Sequence, residues 1–315
     1  MPKSDQSRGG GWSNTGIVRI ENLVFEGGGV KGIAYAGALD VLEQRGLMPA
    51  IRGVAGTSAG AYTAMLVAIG CTAARIRELA TATNYGALED HLDPLRLATK
   101  YGLYAGQSLL AWIQDGLAAG NHPANLTFAA LAAAGGRDLR VFATDITSRD
   151  VQEFSLRATP GVQVAQAVRA SMSIPLMFAA WRFADGVPDD HLYIDGGVVM
   201  NYPIAAFDET SPAAATLGFR LRSPASDRAP LLKGYDHPLG YAQSLYACLT
   251  QAQSIDVLHS PTDRARSVLV DDCGFSAVSF HLTAQDYDRL VACGRAAATA
   301  FLDEHATTPA TATCA

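Results

Sequence analysis

Basic residues are in short supply: 24 lysines and arginines face 30 aspartates and glutamates in 315 residues, a net charge of −6 at neutral pH. No basic run appears, which excludes a nucleic-acid partner held by phosphate neutralisation and gives no strong electrostatic hold on an anionic membrane. Long apolar runs are missing as well. The longest nearly apolar stretch, residues 61–74, is well short of the roughly 20 residues that span a bilayer. Residues 1–16 carry charges, glycine and serine but no apolar segment of signal-peptide type, so the expected location is cytoplasmic, with signal-less export left open. Cysteine is sparse: Cys71, Cys248, Cys273, Cys293 and Cys314 are odd in number and widely spaced, with no C-x-x-C pair. They read as reduced structural thiols, and with no histidine cluster at ligand spacing neither a metal nor a cofactor is implied. No repeat at a fixed period occurs.

What is present is ample material for a core, 49% of the residues being apolar, which excludes a disordered chain. We expect one domain over residues 17–304, flanked by a flexible N-terminal segment (1–16) and a flexible tail (305–315) that is small, polar and proline-containing. Strand patterns at 17–26 (IVRIENLVFE) and 51–56 (IRGVAG) alternate with helical ones, the βαβα order of a sheet containing parallel strands with helices on its faces. Residues 72–134 have helical periodicity broken by Gly86, Pro94, Gly102 and Gly120, an inserted helical layer. Further strands are predicted at 138–146, 151–156, 192–197, 214–221 and 267–271, with long helices at 238–259 and 283–303. The fold class is therefore α/β.

Three glycine-rich turns carry the chemistry. Gly56-Thr57-Ser58-Ala59-Gly60 is a G-x-S-x-G between a strand and an apolar helix, the setting of a nucleophile elbow in which a Cβ on either glycine would collide with strand or helix. Outside that setting the pattern is merely a small-residue turn. Gly27-Gly28-Gly29-Val30-Lys31-Gly32 also follows a strand and opens a helix, and its backbone N–H groups suit a phosphate or an oxyanion. It lacks the P-loop pattern; G-x-G-x-x-G is present but weak, and a dinucleotide loop would leave Ser58 unexplained. Asp195, in Ile194-Asp195-Gly196-Gly197, is delivered by a short strand to a turn, where strand ends on one edge of an α/β sheet converge.

With Ala170-Ser171-Met172-Ser173-Ile174-Pro175 and Asn201-Tyr202-Pro203, these pieces make residues 20–221 resemble the patatin-like phospholipase family, all motifs standing in the family's order. The resemblance implies a three-layer α/β/α fold with a central, mostly parallel sheet. It implies Ser58 as nucleophile, Asp195 as its partner in a Ser–Asp dyad, and Gly27, Gly28 and Gly29 as the oxyanion loop. The implied activity is lipid acyl hydrolysis of phospholipase A, lysophospholipase or carboxylesterase type, on a phospholipid or other acyl ester, with transient contact to a membrane or micelle. Acyl transfer from the same acyl-enzyme is the alternative within catalysis. A silent lipid-binding or scaffold module is the alternative outside it, and would have no use for all three motifs.

The remaining candidates have plainer readings. His281 follows Ser58 and Asp195 in the Ser…Asp…His order of α/β-hydrolases, but only two strands precede Ser58. It reads as a residue ahead of a helix capped by Thr283, and His191 reads as loop decoration. Lys31 either supports the oxyanion loop or solvates its helix, the latter preferred; Glu26 is a structural carboxylate at a strand end. Ser171 and Ser173 shape the pocket wall by hydrogen bonding. Tyr101, Leu103, Tyr104, Leu109, Leu110, Trp112 and Ile113 form an acyl channel, a lid or an ordinary core.

Overall fold

The computed structural model describes residues 19–183, 190–222 and 238–306; the expectation for residues 1–16 lies outside them, as does that for the 305–315 tail from residue 307 on, while His305 and Ala306, expected in the flexible tail, are helical. In chain order come β1 (Asn22–Phe25), α1 (Ala34–Gln44), β2 (Gly53–Thr57), α2 (Ala59–Ala68), α3 (Ala73–Ala82), α4 (Pro94–Lys100) and β3 (Gly102–Tyr104). There follow α5 (Gln107–Ala119), α6 (Phe128–Ala133), β4 (Asp138–Asp145), β5 (Asp150–Ser155), α7 (Val164–Ser171) and β6 (Leu176–Phe178). The chain continues through β7 (Tyr193–Asp195), β8 (Thr216–Arg222), α8 (Pro238–His259), α9 (Pro261–Ala265), β9 (Ser267–Asp271) and α10 (Ala284–Ala306).

Seven strands form one mixed sheet flanked by helices. Its path is β5-β4-β2-β1-β8-β9, with β7 also paired to β4. β1, β2, β4, β8 and β9 are mutually parallel, while β5 and β7 run antiparallel to β4. Short apolar runs buried on both sides are what parallel strands with covered faces require. On β1, Leu23 and Phe25 enter the main core with α1 and α2, whereas Val24 faces a smaller cluster with Ala55, Phe142, Tyr202, Ile204 and Phe207.

Register places the site. β2 occupies one edge of β4 from Gly53 to Thr57, opposite Asp138–Phe142. At the next residue of β4, Ala143, the partner becomes Asp195 of β7. Since β5 runs along the same β4 residues, it holds the other edge, so β7 takes up the edge where β2 leaves off. Ser58 and Asp195, 137 residues apart, are thereby brought to one point.

Helix starts follow their sequence signals. Thr72, Thr127 and Ser260 accept from the N–H three residues on, and Asp93 from Leu95, at the starts of α3, α6, α9 and α4. Thr283 and Asp286 cap α10 reciprocally, as expected of a capping box. Two features were not foreseen. β3 and β6 pair as a separate two-stranded sheet beside the helical layer, each too short for a period to show. Cys273 and Cys293 are disulfide-bonded, which corrects the reading of all cysteines as reduced: the chain after β9 folds back on α10 and brings them together. Cys71 and Cys248 are free thiols, one buried and one exposed. Among the described residues no helix is long and apolar enough to cross a membrane.

α1 and α10 cross at their glycines. A Cβ on Gly37 would overlap the Val291 carbonyl, and one on Gly294 the Ala34 carbonyl. In an open helix Gly→Ala gains up to about 1 kcal/mol of propensity; here overlap with backbone that cannot step aside reverses the sign. Gly294→Ala is expected to lose about 1–3 kcal/mol, the usual cost of overpacking. Gly161, with open space at its Cβ position, is the control, and Gly161→Ala should change little. Urea unfolding followed by circular dichroism measures both, and a stabilised Gly294→Ala would refute the tight crossing.

Candidate active site

Ser58 stands in the turn between β2 and α2 with φ 53° and ψ −125°, a backbone that side-chain-bearing residues rarely adopt and that surrounding structure must impose. What imposes it is the close approach on either side. A Cβ on Gly56 would press on the Gly60 carbonyl, and one on Gly60 on the Phe25 carbonyl, so α2 springs from the strand end with no room for side chains. The Ser58 N–H donates to Ser171 Oγ at 2.8 Å, and that hydroxyl donates to the Phe142 carbonyl at 2.5 Å. The expected wall-shaping role of Ser171 is thus a clamp on the turn itself.

Ser58 Oγ donates to Asp195 Oδ2 at 2.7 Å, both residues being buried. Asp195 Oδ1 accepts from the Gly197 N–H and the Tyr246 hydroxyl, each at 2.8 Å. The aspartate backbone is fixed as well, its N–H donating to the Ser173 carbonyl at 2.9 Å and its carbonyl accepting from Thr144 Oγ1 at 3.0 Å. Burial pushes the carboxyl up to about 6, against the opposing pull of the hydrogen bonds from Ser58, Gly197 and Tyr246.

Behind Ser173 lies Arg169 on α7, fully buried, whose guanidinium donates to Ser173 Oγ and to the carbonyls of Ala105, Gly106 and Ala179. Burial pulls it down to about 10. It fastens the Ser171–Ser173 segment to the strands of the small sheet.

The glycine loop lies across from the elbow. Gly27 donates its N–H to the Asn201 carbonyl at 2.9 Å, so of the three glycines named from the sequence, Gly27 has its donor engaged. Among the described residues, no hydrogen-bond acceptor takes the N–H of Gly28 or Gly29. Gly29 has φ +56° and a Cβ there would overlap the Ala277 carbonyl, so only glycine fits. Glu26, one residue upstream, is buried: Oε2 accepts from the Leu221 N–H at 2.6 Å and Oε1 from Asn201 Nδ2 at 3.2 Å. Burial raises it to about 7, with Arg220 the foremost opposing influence. The structural role expected of Glu26 is what its contacts describe.

Other expectations are revised. Lys31 does not simply solvate its turn: its Nζ pairs with the buried Asp272 at 3.2 Å. His191 is not loop decoration, because its Nδ1 lies 2.6 Å from Asp145 Oδ2, across the β4–β7 pairing. His281 is exposed and packs beside Gly86, and no contact joins it to Ser58 or Asp195 among the described residues. Tyr246 and Gln253 on α8 were missed: the helix itself was expected, but helical periodicity marks an aromatic residue as core and does not show what its hydroxyl meets.

A pocket opens from Ser58 and Gly29 between α2, α3 and α5. Its walls are mostly apolar, among them Ile33, Leu66, Ile76, Leu88, Leu109 and Trp112. Of the stretch read as channel, lid or core, Leu109 and Trp112 line this pocket, Tyr104 and Ile113 are core, and Tyr101 is exposed. The arrangement pairs a hydroxyl and a buried carboxylate beside an apolar space, which suits acyl transfer from a hydrophobic ester.

Comparison with known proteins agrees. The profile of the family described as patatin-like phospholipase matches residues 23–208. Protein YqhO of Bacillus subtilis is 31% identical over 300 residues, which cover 89% of this chain and 97% of that protein. A protein of Invertebrate iridescent virus 6 named Probable lipid hydrolase 463L is 26% identical over 188 residues, 58% of this chain and 62% of its own length. The structure of VipD from Legionella pneumophila shares the fold, with a TM-score of 0.58 at 17% identity, covering 91% of this chain and 67% of VipD. A profile spanning more than half of the sequence, and a relative aligned along nearly all of it, establish that the chain belongs to the patatin-like phospholipase family.

Proposed function

We propose that the protein is a lipid acyl hydrolase of the phospholipase A, lysophospholipase or carboxylesterase type, with Ser58 as nucleophile and Asp195 as its base. The observation that carries this reading is the 2.7 Å hydrogen bond from Ser58 Oγ to Asp195 Oδ2, buried in the wall of an apolar pocket. Family membership and a viral relative bearing the name of a lipid hydrolase support a lipid ester as substrate.

The chemistry runs on one proton. Asp195, ionised above about pH 6, takes the Ser58 proton as Oγ bonds to the ester carbonyl carbon. The charge that develops on the carbonyl oxygen is met by the N–H groups of Gly28 and Gly29, with the N-terminus of α2 adding a favourable field. Collapse breaks the bond to the alcohol oxygen, which leaves with the proton from Asp195. Water then gives a proton to Asp195 and attacks the acyl-serine; the second collapse frees the fatty acid and returns the proton to Ser58. The acyl chain occupies the apolar pocket. Leu92, Leu95 and Tyr101, in the chain after the Tyr85 and Leu88 that line the pocket, are exposed and favour transient contact with a membrane or micelle carrying the substrate.

A fluorophosphonate probe is expected to label Ser58 alone; peptide mapping that puts the adduct on Ser171 or Ser173 overturns the assignment. On a soluble p-nitrophenyl ester, Asp195→Asn should lower turnover roughly 10²-fold or more, the usual scale of a general base, while His281→Ala should change it little. A folded His281→Ala as inactive as Ser58→Ala would require a triad instead. Product analysis by mass spectrometry on defined phospholipids, with and without an added alcohol, separates hydrolysis from acyl transfer.

The pH profile follows from the burial of Asp195. Because the carboxylate is the active form, kcat/KM should rise with pH and level off above about 6, about two units later than an exposed aspartate would allow. A profile flat from pH 5 to 8 would exclude Asp195 as the titrating base.

A further inference from the structure

We propose that Tyr246, on α8, is a positioning residue for the acyl-transfer step: its hydroxyl holds Oδ1 of Asp195 and so presents Oδ2 to Ser58. This rests on the reading of Asp195 as base. A carboxylate can turn about its Cβ–Cγ bond and offer either oxygen, and at 0% exposure Asp195 has no solvent to satisfy it. Its three hydrogen-bond donors are therefore the ones the protein supplies. Oδ1 receives two N–H or O–H donors, Gly197 and Tyr246, and Oδ2 receives Ser58. Gly197 belongs to the same turn as the aspartate and moves with it. Tyr246 comes from another element and ties the carboxylate to the rest of the molecule.

The way α8 is seated supports more than incidental contact. Gln253, seven residues on and hence on the same helical face, donates from Nε2 to the carbonyls of Gly197 and Val198 at 2.8 and 3.1 Å. Its Oε1 accepts from the Asn201 N–H at 2.7 Å. The helix thus grips the turn after Asp195 at both ends, and Asn201 in turn accepts the Gly27 N–H. α8 lies outside the 23–208 match to the family profile, so none of the family's sequence motifs supplies this hydroxyl.

Tyr246 remains a donor throughout the working range, since burial and the adjacent carboxylate push its phenol well above the ordinary value. The groups that face the pair are Ser58 from the elbow, Gly197 from the following turn and, through its field, Glu26 at the end of β1. Any change in titration must be told apart from that of Glu26.

The test is the pH dependence of kcat/KM and kcat on a soluble ester for wild type, Tyr246→Phe, a protein with 3-fluorotyrosine placed at position 246, Asp195→Asn and Glu26→Gln. Removing a donor to the ionised form raises its pKa, so in Tyr246→Phe the acid limb should move up by roughly one pH unit, the size of one hydrogen bond to a charged group. Turnover on the plateau should fall several-fold with KM unchanged, because Tyr246 does not line the pocket. Fluorotyrosine, a stronger donor on the same frame, should move the limb down, and it tests the proposal even if Tyr246→Phe fails to fold. A limb that stays put in both folded variants overturns the positioning role while leaving the Ser58–Asp195 reading intact; one that disappears in Glu26→Gln belongs to Glu26 and overturns both the positioning role and Asp195 as the titrating base. Asp195→Asn with wild-type turnover removes both.

Discussion

A carboxylate taken wholly out of water, yet kept ionisable, is the constraint on which this structure turns. In the proposed mechanism Asp195 acts as a base because burial raises its proton affinity, and it survives burial as an anion because three donors reach it. Those donors come from the β2–α2 turn, from the turn after β7 and from α8. No local segment holds them together; the sheet does, by ending β2 where β7 begins along one edge of β4.

The same physics is repeated one strand away. Glu26 is buried and raised to about 7, satisfied by Leu221 and Asn201 with Arg220 and Lys31 in its field. It stands immediately before the glycine loop, so its contacts fix the loop to β8 and to the Asn201 turn; Lys31, pairing with Asp272, fixes the other end. Both carboxyls have folded pKa values above the ordinary 4.5 and 3.8. The native state therefore keeps protons that the unfolded chain gives up between roughly pH 4 and 7, and the contribution of these two groups to stability declines as pH rises through that range. A salt-bridged surface carboxylate behaves in the opposite sense. On the proposed mechanism, the charge that the chemistry needs comes at some expense to the fold, a familiar tension between stability and activity.

How much of this was legible in the sequence depends on the range of the interaction. The elbow at Ser58 was readable because strand, turn glycines and helix are contiguous, and β9 and the α10 cap were readable for the same reason. Asp195 needed the company of other motifs, since a lone Asp-Gly-Gly is an ordinary turn. The partners of Lys31 and His191, Asp272 and Asp145, lie 241 and 46 residues away, and no periodicity encodes such pairings. Three-residue strands such as β3 and β6 show no alternation to detect, and the Cys273–Cys293 bond has no spacing signature. Tyr246 combines these difficulties, looking like a core aromatic in a helix beyond the last motif.

That difference in legibility reflects two kinds of attachment. Ser58 and Asp195 are placed by backbone pairing, which can shift only if a sheet ladder breaks. A helix spends its backbone donors and acceptors internally and can reach a neighbour only through side chains. Seven residues at 1.5 Å each set Tyr246 and Gln253 about 10 Å apart along one face, and the two span the turn from Asp195 to Asn201. Among the described residues, the hydrogen bonds from α8 to this turn run through Tyr246 and Gln253, and none of them belongs to a strand pairing. The sheet brings Ser58 and Asp195 together; the helix adds side-chain hydrogen bonds that hold the turn between Asp195 and Asn201.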